Sequence, residues 1–272
     1  KNHTGFRGDY ESGLMKMMTI GLGKQYGARN YHSTGFKYMA RTIAEVGSTV
    51  LEREKILFGV GVIENGHGRL AKISCLEPEE IPVVEKELLK IAHAYLPRPF
   101  FDRADVLVVQ EMGKDISGTG MDSNVIGRYN NEYVSSPEIC YTRLVVLDLT
   151  EHTNGNGNGM GFADYMTRRM FQKLDLEQTY PNVITSAHPM TVRIPMILET
   201  DRLAIAAAIK ACLVPEGQPA KVGFIQNTKD LYTVYISESL LEEAEACPHV
   251  EPVGSPFPIP FAPDGSLKLS YR

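Results

Sequence analysis

Asp105-Val106-Leu107-Val108-Val109-Gln110 is an unbroken apolar run, and Thr142-Arg143-Leu144-Val145-Val146-Leu147-Asp148-Leu149 repeats its character further on. Short runs rich in branched residues, without polar alternation, belong to strands buried on both faces, as in a parallel sheet covered by helices. The flanking sequence fits that reading. Helices are predicted at 163–174, 201–213 and 239–246, and strands at 222–226 and 231–236. Ligands of open α/β sheets sit at the carboxyl ends of strands, so the polar loop 111–124 that follows the first run is a candidate binding surface. Its Gly118-x-Gly120 is not a dinucleotide fingerprint, because no third glycine falls at the required spacing. A second glycine-rich stretch, Asn154-Gly155-Asn156-Gly157-Asn158-Gly159-Met160-Gly161, reads either as a cradle for an anion or as a mobile linker.

Upstream of Leu96-Pro97-Arg98-Pro99 the pattern changes. Residues 54–64 and 69–75 are rich in branched side chains and are joined by Asn65-Gly66-His67-Gly68, a hairpin signal in which His67 is a turn residue. Residues 80–95 carry apolar side chains at Val83, Val84, Leu88, Leu89, Ile91 and Ala92, the spacing of an amphipathic helix ended by the prolines. The fold class is therefore α/β in two domains, about 1–100 and 101–272. Mixed or parallel sheets flanked by helices are expected, with a cleft between the domains.

Chemistry is concentrated near the start. Lys16 lies in Leu14-Met15-Lys16-Met17-Met18-Thr19-Ile20, an apolar run preceded by Glu11, by Ser12 as a predicted N-cap, and by Gly13. An ammonium drawn into apolar surroundings loses its charge more readily, which opens covalent or Schiff-base roles near neutral pH. The alternative is a lysine that reaches water along its own methylenes. His3 sits in a polar turn where a neutral imidazole suits general-base work. His32 follows Lys16 by sixteen residues, across a stretch too glycine-rich to stay helical throughout. Taken alone, each histidine reads first as a hydrogen-bonded structural residue rather than a ligand.

Taken together, Lys1-Asn2-His3, Ser12-Gly13-Leu14-Met15-Lys16 and His32 resemble the signature of the nickel-dependent lactate racemase family. The resemblance implies racemisation or epimerisation of a 2-hydroxy acid by hydride transfer. It implies a nickel-pincer nucleotide, a pyridinium thioamide/thiocarboxylate mononucleotide, tethered to Lys16 beside Ser12 and Gly13. Nickel would be bound by His32, and His3 would act as acid and base. The loop from His3 to Lys16, filled by Arg7-Gly8-Asp9-Tyr10, is longer than the family's, which bears on substrate identity more than on cofactor chemistry. In the second domain the resemblance places Asp122 and Asn124 toward the cleft, with Lys114 and Arg128 as carboxylate contacts. The family's second catalytic histidine and phosphate-binding residues lie upstream of its signature, so the chain reads as a piece lacking that region and inactive alone. Cofactor-biosynthesis enzymes are the implied partners.

Composition sets the remaining bounds. The 272 residues are 43% hydrophobic with a net charge of −5, which supplies core without a basic stripe for nucleic acid. No apolar run is long enough to span a bilayer. Cys75, Cys140, Cys212 and Cys247 are widely separated with no Cys-x-x-Cys, arguing against zinc and iron–sulfur sites and for a reducing, cytoplasmic setting. His152, His188 and His249 lack partners at ligand spacing and are read as structural. Two other functions fit the same residues: a non-catalytic nucleotide- or anion-binding α/β module, and a metal-free lyase forming a Schiff base on Lys16.

Overall fold

In the computed structural model, which describes residues 4–66, 69–130, 134 and 138–271, the chain forms two compact units, the first of residues up to Pro97 together with the short stretch Thr185–Ala187 and Val134, the second of the other described residues from Arg98 on. The first begins with a short helix α1 (Leu14–Lys16) that runs directly into a π turn (Met17–Gly21). The helix then breaks at Leu22 and Gly23, where Lys24 takes a φ of +53°, and restarts as α2 (Lys24–Ser33). Glycine content interrupts the helix there as expected, yet ten residues of helix follow it. Next comes α3 (Met39–Arg53), whose buried stripe is Met39, Ile43 and Gly47, four residues apart. A side chain at Gly47 would stand 2.7 Å from the tip of Met15, so the glycine leaves the space in which Met15 is fully buried.

Strands β1 (Gly59–Glu64) and β2 (Leu70–Leu76) form the predicted antiparallel hairpin, with Val62 opposite Ile73. Asn65 closes the turn, its N–H donating to the Arg69 carbonyl while its side chain accepts from the Arg69 N–H at 3.0 Å. Helix α4 (Ile81–Ala94) packs on the hairpin. Gly59 and Gly61 permit this approach, because side chains there would meet Leu14, Ile81 and Leu88. His67 lies outside the described residues.

The second unit is built on six strands: β3 (Arg103–Met112), β4 (Cys140–Leu149), β5 (Tyr165–Thr167), β6 (Met196–Leu198), β7 (Val222–Ile225) and β8 (Val234–Ile236). Between them run α5 (Ser123–Ile126), α6 (Arg168–Gln172), α7 (Leu176–Ser186) and α8 (Asp201–Ala211), with α9 (Leu241–Ala246) after the last strand. The sheet order is β6-β5-β4-β3-β7-β8, parallel throughout except for β8. Both apolar runs are central. Leu107, Val109, Leu144 and Val146 face one core with Met121, Ile126, Phe162 and Met170, while Val106, Val108, Val145 and Leu147 face another with Ala204, Ile205 and Ala208 of α8. Period-two alternation thus buries both faces, and each fully buried Val or Leu contributes about 1.5–3 kcal/mol before the entropy of ordering is set against it.

The helix predicted at 163–174 is a correction. Its first part is β5, whose Tyr165 and Met166 pair with β4 on one side and β6 on the other, and only Arg168–Gln172 is helical. Central position in a sheet outweighs the helical propensity of three residues. The loop 154–161 is a correction of both its readings. Asn156 and Asn158 are buried, the Gly157 N–H donates to Thr179 Oγ1, and the Gly159 N–H donates to the Thr191 carbonyl. Those amides are engaged internally, so the stretch is neither an anion cradle nor a loose linker. Among the described residues no helix is long and apolar enough to cross a membrane.

Candidate functional site

Gly13 opens α1 with a φ of +105°, a backbone conformation that glycine adopts without strain. Ser12 does not cap the helix; no side-chain cap is formed by the preceding segment. The carboxyl group of Glu85, reaching from α4, takes that role, and its Oε2 accepts the Met15 N–H at 2.9 Å. Glu85 is 4% exposed, and burial pushes it up to about 7. Its Oε1 has no hydrogen-bond partner among the described residues and lies beneath Gly13, where a Cβ would stand 2.8 Å from it. Ser12→Ala is accordingly expected to change stability by less than about 0.5 kcal/mol, against the ~1 kcal/mol of a working N-cap, as read by urea unfolding.

One turn further on, Lys16 is half-buried. Burial holds its amine below the usual lysine value, opposed by the nearby charge of Glu11. The amine makes no hydrogen bond or ion pair among the described residues. Glu11 itself is buried and holds the polar turn before it, accepting from Thr4, Arg7 and the Gly8 N–H and meeting His93 of α4. His32 occupies the last turn of α2, its ring edge-on to Tyr31 with centroids 5.7 Å apart. Helix α2 packs against the π turn that continues α1. Ser12, Gly13 and Lys16 therefore share one turn and His32 lies on the adjoining helix, with no hydrogen bond between Lys16 and His32. His3 lies outside the described residues; Thr4, its neighbour in sequence, is the first that they include. Among the described residues no group of three or more His, Cys, Asp or Glu side chains stands close enough to hold a metal by itself.

In the second unit the sheet reverses direction of growth at β3. The chain adds β4, β5 and β6 on one side, then crosses back to lay β7 on the other, so the carboxyl ends of β3 and β7 form the switch point where such sheets bind ligands. Lys114 is there, exposed by area, yet its ammonium is desolvated enough to be held below the ordinary lysine value, and it donates to the Asn182 side chain. The other three residues expected to line a cleft have structural positions. Asp122 is 2% exposed, and its Oδ1 caps α5 by accepting from the Asn124 N–H and Nδ2, both at 2.9 Å. Asn124 is equally buried and accepts from the Tyr129 hydroxyl. Arg128 is anchored to Asp164 at 2.7 Å and to the Phe162 carbonyl. An Asp-x-Asn after a turn is the usual sequence of a helix cap, and a guanidinium paired with an internal carboxylate is engaged rather than available.

Three residues at the site are given no role by the sequence reading: Glu11, Glu85 and His93. Glu85 left a signal, because it falls midway between Ile81 and Leu89, four residues from each, on the apolar stripe of its helix. A lone carboxylate on such a stripe is either paired or shifted in pKa. Nothing in the spacing announced the other two. Comparison with family models, with curated proteins and with solved structures finds no match.

Proposed function

We propose that this protein belongs to an enzyme that inverts a 2-hydroxy acid by hydride transfer, using a nickel-pincer nucleotide joined to Lys16. The observation that supports this is the state of Lys16: an amine withdrawn from water, with its pKa lowered and no hydrogen-bonding partner among the described residues. A lysine kept neutral more easily than usual is suited to a covalent bond. The donor set fits the metal in a specific way. His32 would give nickel one imidazole nitrogen, a donor that suits this metal, and the remaining donors would come from the tethered group.

When bound, the group would supply a reversible hydride acceptor for the carbon that bears the hydroxyl. Removing that carbon's hydrogen as a proton would put a carbanion beside a carboxylate, which is far less accessible. The chain's own parts are then three. Lys16 anchors the group, His32 gives one ring nitrogen to nickel, and His3 takes the hydroxyl proton and returns it. The 2-hydroxy acid and the enzymes that make the cofactor are the partners this reading requires.

The test is intact mass after denaturation, with metal analysis, on protein expressed together with the pincer-biosynthesis enzymes. A nucleotide-sized adduct located on Lys16, with nickel, is the expected result. An unmodified chain without nickel overturns it. Borohydride trapping of a 2-keto acid on Lys16 would favour the metal-free lyase instead, and an unmodified chain with a reversibly bound nucleotide would favour the binding module.

A further inference from the structure

Beneath the turn that leads to Lys16 lies a carboxyl group with half of its bonding unmet. Glu85 of α4 is 4% exposed; its Oε2 accepts the Met15 N–H at 2.9 Å, and its Oε1 has no hydrogen-bond partner among the described residues. The same side chain presses on Gly13, where a Cβ would stand 2.8 Å from Oε1 and 3.0 Å from the carboxyl carbon. Gly13 has a φ of +105°, so the residue that this packing requires to be bare is also the joint at which α1 starts. No side-chain cap comes from the helix's own segment, and Lys16 follows Met15 directly. A side chain from another helix thus holds the start of the turn that carries the amine.

This seat suits a neutral carboxyl. An ionised one needs donors on both oxygens, and the fold brings a donor to Oε2 alone. No cation compensates it, because the charged and titratable groups of the elements packed around α4 have other partners. Arg7 and His93 meet Glu11, Asp9 pairs with Lys86, Lys90 pairs with Glu87, and the Tyr10 hydroxyl donates to the Pro82 carbonyl at 2.7 Å. From α1 comes Lys16, which forms no ion pair with Glu85 among the described residues, and from β1 comes Glu64 at its exposed end.

We propose that Glu85 is a positioning residue that works as a proton-dependent latch on the Lys16 turn. Protonated, it seats beneath Gly13 and holds the Met15 N–H; ionised, it frees the turn at Gly13 so that water reaches its oxygens. The part given to Lys16 rests on the function proposed above, whereas the latch itself does not. Burial pushes Glu85 up to about 7 from the ordinary 4.5. The closed turn therefore keeps a proton that the open turn gives up between those values. Opening becomes easier by about tenfold per pH unit across that window and no easier above it. A cap that serves only as a fixed structural acceptor has no such window.

The experiment is hydrogen exchange of the Met15 amide over pH 5–8, read by NMR on the full chain labelled with nitrogen-15 methionine. Glu85→Gln keeps the shape of the side chain and cannot ionise, so it is the reference at each pH. Relative to it, wild-type exchange is expected to accelerate by about a hundredfold between pH 5 and 7 and to run parallel above 7. Parallel curves over the whole range overturn the proposal. Should Glu85→Gln not fold, wild-type protein carrying carbon-13 at the glutamate carboxyls decides. One carboxyl resonance inflecting near pH 7 together with the Met15 amide shift is expected, and none inflecting above pH 6 overturns the latch. Neither measurement involves an adduct, so an unmodified Lys16 would overturn the proposed function and leave the latch standing.

Discussion

Gly159→Ala is expected to lower the stability of the second unit by about 3–5 kcal/mol, seen as a fall of on the order of 10 °C in its thermal midpoint. Two independent effects add. Gly159 has a φ of +101°, where a side chain is strained, and an alanine Cβ would stand 1.8 Å from the Thr119 carbonyl oxygen. That neighbour is backbone, so no rotamer change relieves the overlap. Gly120, with a φ of +73°, makes the reciprocal approach, since its Cβ would lie 2.3 Å from the Asn158 carbonyl oxygen. The loops after β3 and β4 therefore pass each other backbone to backbone, and only paired glycines allow it. Gly118→Ala, at a position with nothing within 4 Å of the added carbon, is the control and should shift stability by less than about 0.5 kcal/mol. Equal melting of the two variants would show that the loops have room that this packing denies.

That loop crossing also marks where the sequence stops being legible. Glycines in 154–161 signal conformational freedom, but a freedom used for close packing and one used for motion look identical in a list of residues. The central strands are legible because burial on both faces demands unbroken Val and Leu, and the first helix of the hairpin unit to be recognised, α4, is legible because one face alone is apolar. Edge elements are not. Met196–Leu198, at the edge, is three residues long, too short to display a period; Tyr165–Thr167, though inside the sheet, is equally short; and α7 carries Pro181 inside it. At the candidate site, Lys16 is legible as a charge in an apolar run, while Glu11 and His93 meet only because the turn 4–11 folds onto a helix some eighty residues away in sequence. Asp122 and Asn124 illustrate the opposite error. Their spacing is shared by ligand-facing loops and by helix caps, and the burial that distinguishes the two is a property of the fold.

Glu85 makes the stability of the first unit depend on pH in a direction opposite to that of most carboxylates. Its folded-state value, about 7, stands above the ordinary 4.5, because burial outweighs the opposing pull of the Met15 and Leu14 N–H groups, and its Oε1 has no hydrogen-bond partner among the described residues. Between those two pH values the native chain holds a proton that the unfolded chain has released. Stability from this group is therefore fully present below pH 4.5 and is lost as pH rises through 7. The shift corresponds to at most about 3 kcal/mol. Exposed carboxylates with lowered values, such as Asp9 and Asp264, act the other way but only on further acidification, and buried Asp201, also raised, contributes alike to any pair of proteins compared. Glu85→Gln isolates the effect. Its amide oxygen keeps the Met15 N–H, and seating its NH₂ in the buried place of Oε1 costs about 1–3 kcal/mol that does not vary with pH. Urea unfolding of both proteins is expected to show the wild type more stable at pH 4.5, with the gap closing by up to about 3 kcal/mol by pH 8. A gap that stays constant would mean that Glu85 is already ionised throughout this range, and that the turn carrying Lys16 rests on a permanently charged cap.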